Sequence, residues 1–250
     1  MAFTSDKEDK LLLSRAQDAL NLSELRHQPT FLGFLNEREQ YIIKQNFSYA
    51  ESNIHFYGGF EGAKRSVMCA CEYDVDTWEY PVTPVYFKFR KSDNLTHRDF
   101  LGSLMGLGIE RDYVGDIIVC EDCAVCFLKS EIADYVKLQI LKIGRAGVTI
   151  VTEKECSIDY SDNIETVNYT VSSMRLDVII AAIKGLSREK TAAFILSGNV
   201  FVNYAEVKNV SLLLKENDIL SVRGSGKYII RQQSGTTKKG RIRLNIDHYR

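Results

Sequence analysis

Three cysteines at positions 120, 123 and 126 are separated by two-residue gaps, the spacing of many metal-binding pairs. The surrounding pattern argues against that chemistry. Gly115 to Cys120 and Cys123 to Leu128 read as two strands joined at Glu121-Asp122. Alternation along the second strand sends Cys123 and Cys126 to opposite faces. They read as small buried or half-buried thiols, and with Cys69, Cys71 and Cys156 as free thiols rather than a disulfide framework. No metal or other cofactor is expected. His97-Arg98-Asp99 spells the catalytic triplet of protein kinases, but neither a glycine-rich nucleotide loop nor a magnesium-binding triplet accompanies it. Thr96 reads instead as a helix cap, with Asp99 in the first turn. His97 and Arg98, at that helix start, remain candidates for a secondary anion contact. The four histidines, at 27, 55, 97 and 248, are scattered and form no nucleophilic constellation.

The stronger chemical signal is charge. From Ser173 to Arg250 the chain carries 14 Lys and Arg against 6 Asp and Glu, a net of +8. The other 172 residues carry 18 against 27, a net of −9, so the overall −1 hides a split. A compact positive module on a negative body fits a polyanion, and nucleic acid is the commonest one. Ser187, Arg188 and Lys190 cluster at a predicted helix N-terminus, where unpaired N–H groups already favour phosphate. Lys184 and Thr191 lie close by in sequence. Arg223-Gly-Ser-Gly-Lys227 adds two cations around small residues that let a backbone approach. Lys238, Lys239, Arg241 and Arg243 form a second basic cluster near the end. Phosphate contacts from so many cations would make binding steeply salt-dependent.

These residues need a scaffold. Residues 1–60 read as a helical N-terminal region. Leu11, Leu12, Ala16, Ala19 and Leu20 form one stripe, and Leu32, Leu35, Ile42 and Ile43 another. Pro29 stands between them, and Asn36 with Glu39 makes a capping-box pattern. Residues 61–152 contain strands at Val82–Phe89, Gly115–Cys120, Cys123–Leu128 and Gly147–Val151, with helices at Thr96–Leu107 and Ser130–Leu141. That β-α-β-β-α-β order is ferredoxin-like. Such a sheet covers one face with helices and leaves the other open, the face on which RNA-recognition domains stack bases. Residues 153–172 are polar and acidic and read as a linker. In 173–250, Leu176, Ile179, Ile180 and Ile183 share a helical face, Gly185 ends that helix and Gly198 the next. Val200 to Asn203 and Asp218 to Val222 are strands, and a basic hairpin closes the chain. The fold class is α+β.

Arg175-Leu176-Asp177, Ser187-Arg188, Ala192, Ile195, Gly198, Val200, Val202-Asn203 and Asp218 together resemble the S4 RNA-binding domain. That resemblance implies an RNA surface on the two helices and adjoining loop, with Arg175, Ser187, Arg188, Lys190, Thr191 and Asn199 as contacts. Lys184, Asn203, Arg223 and Lys227 complete the expected set. Leu95 to Val119, LTHRDFLGSLMGLGIERDYVGDIIV, resembles the characteristic segment of YlmH-type proteins. Those combine a helical N-terminal region, a ferredoxin-like domain of RNA-binding type and a C-terminal S4 domain. The resemblance implies a non-enzymatic protein that binds ribosomal RNA or ribosome-bound tRNA on the large subunit, in ribosome quality control. Arg175-Leu176-Asp177 also resembles the catalytic triplet of some pseudouridine synthases, which leaves an RNA-modifying enzyme as an alternative. A protein-interaction adaptor using the acidic half is another. The expected setting is cytoplasmic, as a monomer with no membrane and no small-molecule substrate. No apolar run approaches the roughly 20 residues of a membrane span, and the start has the acids that targeting peptides lack.

Overall fold

The computed structural model describes residues 7–161, 164–237 and 240–249. The architecture is α+β, in two compact units, Met1–Tyr160 and Ser161–Arg250. Among the described residues no helix is long and apolar enough to cross a membrane.

The first unit opens with α1 (Lys7–Arg26), β1 (Thr30–Leu35), α2 (Glu37–Asn46), β2 (Ile54–Tyr57) and β3 (Ser66–Ala70). Asn36 caps α2 through the expected reciprocal box with Glu39. The rest departs from a purely helical reading. Leu32 and Leu35 lie in a strand, and the strands form an antiparallel sheet in the order β1-β3-β2. Phe31, Leu32, Phe34 and Leu35 are apolar on both sides of Gly33, so a helical stripe and a doubly buried strand look alike there.

The second half of this unit contains β4 (Val82–Lys88), α3 (His97–Gly106), β5 (Val114–Val119), β6 (Cys123–Lys129) and α4 (Ser130–Gln139). A short hairpin of β7 (Lys142–Ile143) and β8 (Ala146–Gly147) then leads to β9 (Thr149–Val151). The sheet order is β5-β6-β4-β9, antiparallel throughout, as a ferredoxin-like chain requires. Phe87, Ala124, Cys126 and Leu128 pack under the two helices around Phe100, Leu104 and Val136.

The opposite face is closed, not open as expected. Tyr86, Val125 and Phe127 pack against Phe34, Val67 and Cys69 of the N-terminal sheet. Two close approaches fix this contact. A Cβ on Gly115 would lie 2.6 Å from the Phe34 ring, and one on Gly59 2.2 Å from the Phe127 ring. Arg65 ties the two sheets further, donating to the carbonyls of Phe34, Arg111 and Val114 at 2.8, 3.1 and 3.0 Å. Phe60 and Tyr160 finish the cover, with ring centroids 4.9 and 6.3 Å from Phe127. Cys126 belongs to the helix-side core, whereas Cys123 faces the Ser157 carbonyl. The two thiols therefore point to opposite faces.

The second unit is built from β10 (Ile164–Val171), α5 (Leu176–Lys184), α6 (Arg188–Leu196), β11 (Val200–Val202), β12 (Ala205–Glu206), β13 (Ile219–Val222), β14 (Gly226–Thr236) and β15 (Ile242–Tyr249). Its strands form one sheet in the order β10-β15-β14-β13-β11-β12. Eight residues of the expected linker thus form β10, whose alternate residues Tyr169 and Val171 pack on the core. The acidic composition around 153–163 masked that alternation. Ile179, Ile180 and Ile195 of the helices pack on Val200, Leu220, Ile230 and Leu244 of the sheet.

Candidate nucleic-acid interface

Arg175 sits at the N-cap position of α5 and Asp177 in its first turn. Arg175 donates from Nε to Asp177 Oδ1 at 3.0 Å and from Nη2 to Oδ2 at 2.9 Å. Asp177 Oδ1 also accepts the Val178 N–H at 3.0 Å. Arg175 and the burial-opposing charge of Arg188 hold this carboxyl below the ordinary carboxylate range. Arg175, Asp177 and Arg188 line an open groove with Ser172, Ser173 and Ala181. The groove therefore presents two guanidinium groups beside two hydroxyls, a donor-rich wall suited to phosphate oxygens.

At the other end of α5, Lys184 reaches the glycine loop. Its Nζ donates to Ser225 Oγ at 2.8 Å and lies 5.0 Å from the Phe194 ring centroid. Asn199 accepts the Arg223 N–H through its backbone carbonyl at 2.9 Å, so the loop also adjoins the end of α6. The Asn199 side chain donates to Ser197 Oγ at 2.6 Å. Arg188, Lys190 and Arg223 are exposed. Ser187 occupies the N-cap position of α6, yet its side chain makes no capping hydrogen bond. The groove brings Arg175 and Arg188 together, the glycine loop adjoins Lys184 and Asn199 and carries Arg223, and Ser187 and Lys190 lie at the start of α6 with Arg188.

Three expected contacts belong elsewhere. Thr191 is 0% exposed and its hydroxyl donates to the Ser187 carbonyl at 2.9 Å, so it braces α6 from within. Asn203 (φ 49°) and Tyr204 (φ 66°) form the tight turn between β11 and β12. The Asn203 amide donates to Asp218 Oδ1 at 2.8 Å and accepts the Ile219 N–H at 2.9 Å, which commits it to the turn. Lys227 precedes the core residue Tyr228 on β14, so alternation turns it to the face away from the helices. Its ammonium lies 4.9 Å from the Tyr249 ring centroid. Arg243 precedes the core residue Leu244 and faces the same way. Arg241 is exposed just before β15. Lys238 and Lys239 lie outside the described residues. Arg98 is exposed on α3, capped by the Thr96–Asp99 box, and burial together with Arg111 lowers the His97 imidazole. Both belong to the first unit. Ser172, Ser173 and Ser225 were not anticipated; their signal was only their adjacency to Arg175 and to the glycine loop.

A family profile described as "Putative RNA-binding domain in YlmH" matches residues 79–157, and one described as "S4 domain" matches residues 174–220. Ribosome-associated protein quality control protein P2 of Bacillus subtilis (strain 168) is 30% identical over 250 residues, covering 96% of this chain and 95% of that protein. The chain belongs to the YlmH family. A solved structure, the cell division protein ylmH from Streptococcus pneumoniae, shares the fold at a TM-score of 0.52 and 16% identity. It covers 62% of this chain and 98% of its own. The YlmH profile spans the closed ferredoxin-like sheet, and the S4 profile spans both helices and the turn of Asn203. The S4 match begins after β10 and stops short of β14 and β15, so half of the second unit's six strands lie outside it.

Proposed function

We propose that this chain binds structured RNA, ribosomal RNA or ribosome-bound tRNA on the large subunit, through the helix side of its C-terminal unit. The observation that carries the reading is the groove where Arg175, held by Asp177, and Arg188 stand beside Ser172 and Ser173. Backbone-shaped recognition of folded RNA needs such fixed cationic donors more than it needs base-edge readers. The relative's name, a ribosome-associated quality control protein, supports a ribosomal partner and a role in quality control. The protein acts as a cytoplasmic monomer without catalysing a reaction. Asp177, the counterpart of the catalytic aspartate in the pseudouridine-synthase resemblance, is 7% exposed and spends its oxygens on Arg175 and Val178. A carboxylate so engaged orients its arginine.

Titration of the full chain against ribosomal RNA fragments, with Arg188→Glu and Lys190→Glu together, tests this reading. Affinity should fall by about tenfold or more, and the salt dependence should flatten by about one unit of slope per lost phosphate contact. Unchanged affinity would remove the proposed surface. Mass spectrometry of ribosomal RNA incubated with the protein tests the non-catalytic clause; a newly modified base would overturn it.

A further inference from the structure

The six-stranded sheet of the C-terminal unit carries its helices on one face. Leu220, Val222, Ile230, Leu244 and Ile246 belong to that helix-side core. Their strand neighbours point the other way. Register aligns Phe201, Ser221, Lys227, Tyr249 and Ile164 in one row across five strands. Ile219, Ile229, Asp247 and Thr166 form the next row. Beyond them Asn245 faces Asn168, and Arg243 faces Thr170. Phe201 and Tyr249 are half-buried, while Thr166, Asn168, Thr170 and Arg243 are exposed. The acids on this face are already engaged. Asp247 accepts from Arg231 at 2.7 Å and from Thr166 at 2.6 Å, and Glu206, at the edge beside Phe201, pairs with Lys208 at 3.3 Å. Lys227, Arg231 and Arg243 against Asp247 give these rows a net positive formal charge, with Arg243 the exposed cation.

We propose that this outer sheet face is a second RNA surface, which takes a single-stranded segment. Two aromatic rings, Phe201 and Tyr249, stand in one row with Ser221 and Lys227 between them and offer stacking positions; stacking tolerates any base because each has a π-face. The exposed Arg243 can meet a phosphate, and the side-chain amide of the exposed Asn168 can meet a base edge. A duplex fits poorly, because its bases are stacked inward and cannot reach rings lying in a sheet. This surface is separate from the helix-side groove, since the sheet's own core lies between α5, α6 and these side chains.

The test uses the full chain and fluorescence anisotropy with a fluorescein-labelled oligouridine of about ten nucleotides, within the range one such platform covers. A labelled ribosomal RNA hairpin is titrated in parallel. Thr170→Glu with Arg243→Glu should weaken the oligouridine about tenfold, flatten its salt slope by about 0.7 per lost phosphate, and leave the hairpin unchanged. Arg188→Glu with Lys190→Glu should do the reverse. Photocrosslinking of a thiouridine-substituted oligomer should map to Phe201 or Tyr249. Three results would overturn the proposal: no saturable binding of the single strand, an unchanged affinity in the Thr170/Arg243 variant, or crosslinks confined to α5 and α6. None of these would touch the helix-side reading, which stands or falls on the hairpin.

Discussion

Arg175 and Asp177 close a two-pronged ion pair within the first turn of α5, at 3.0 and 2.9 Å. The pair locks the guanidinium against the wall of the groove, so an RNA phosphate meets a preorganised donor instead of a mobile one. Its carboxyl half is buried and its guanidinium half partly solvated. Removing one partner should therefore cost less than the roughly 3–5 kcal/mol of a fully buried pair; about 1–2 kcal/mol is expected.

Acid stability follows from the same pair. Asp177 titrates below its ordinary range when folded, first because of Arg175. Its stabilising contribution is complete above the unfolded-state value near about 3.9 and fades as pH falls through the lower folded value. Asp177→Asn should lower the melting temperature at neutral pH and flatten the acid limb of the melting profile below about pH 4. An acid limb identical to that of the parent protein would show that the pair carries no such linkage.

Phe34 and Gly115 make a tight seam between the two sheets of the first unit. Gly115→Ala should destabilise by about 1–3 kcal/mol through overpacking. Phe34→Leu alone should also destabilise, by loss of packing. The double variant should recover part of the sum, giving a coupling of about 1 kcal/mol in a thermal or urea double-mutant cycle. Strict additivity would mean that the ring and the glycine do not constrain each other.

Asn203→Ala separates a turn role from an RNA role. It removes two hydrogen bonds and places alanine at φ 49°, so stability should fall by about 1–3 kcal/mol. RNA affinity at low temperature, where the unit stays folded, should match the parent. A large loss of affinity in a fully folded variant would return Asn203 to the RNA surface.

Burial pushes the Cys69 and Cys156 thiols up to about 12. Neither should carry appreciable thiolate at pH 8, and iodoacetamide should leave both unmodified in the native protein. Urea should release both. Mass spectrometry of the labelled peptides checks this, and fast native alkylation of either one would contradict the burial argument.

Much of this was legible in the chain because local rules governed it. The β-α-β-β-α-β order, the Asn36 and Thr96 caps and the charge split all follow from neighbours in sequence. What could not be read depended on partners distant in sequence. The closed sheet face is the clearest case. Cys123 to Leu128 runs CAVCFL with no polar residue at alternate positions, the mark of a strand buried on both sides. Without knowledge of the N-terminal sheet, nothing said what lay on the second side. Thr191 and Lys227 leave the helix-side surface for a related reason. Each has the right type and neighbourhood for that surface, but helix phase turns Thr191 inward and strand parity turns Lys227 to the far face.

The pairing of β10 with β15 brings the opening strand of the C-terminal unit beside its closing one, in register from Ile164 opposite Tyr249 to Val171 opposite Ile242. Excision of residues 174–220 as a minimal fragment would therefore strip three of six strands, cut β13 after Leu220 and leave the faces of α5 and α6 without their cover. A soluble excised piece has to keep both flanking segments. Conversely, the two ends lie near enough that a short engineered linker could join them and new termini be opened in an exposed turn.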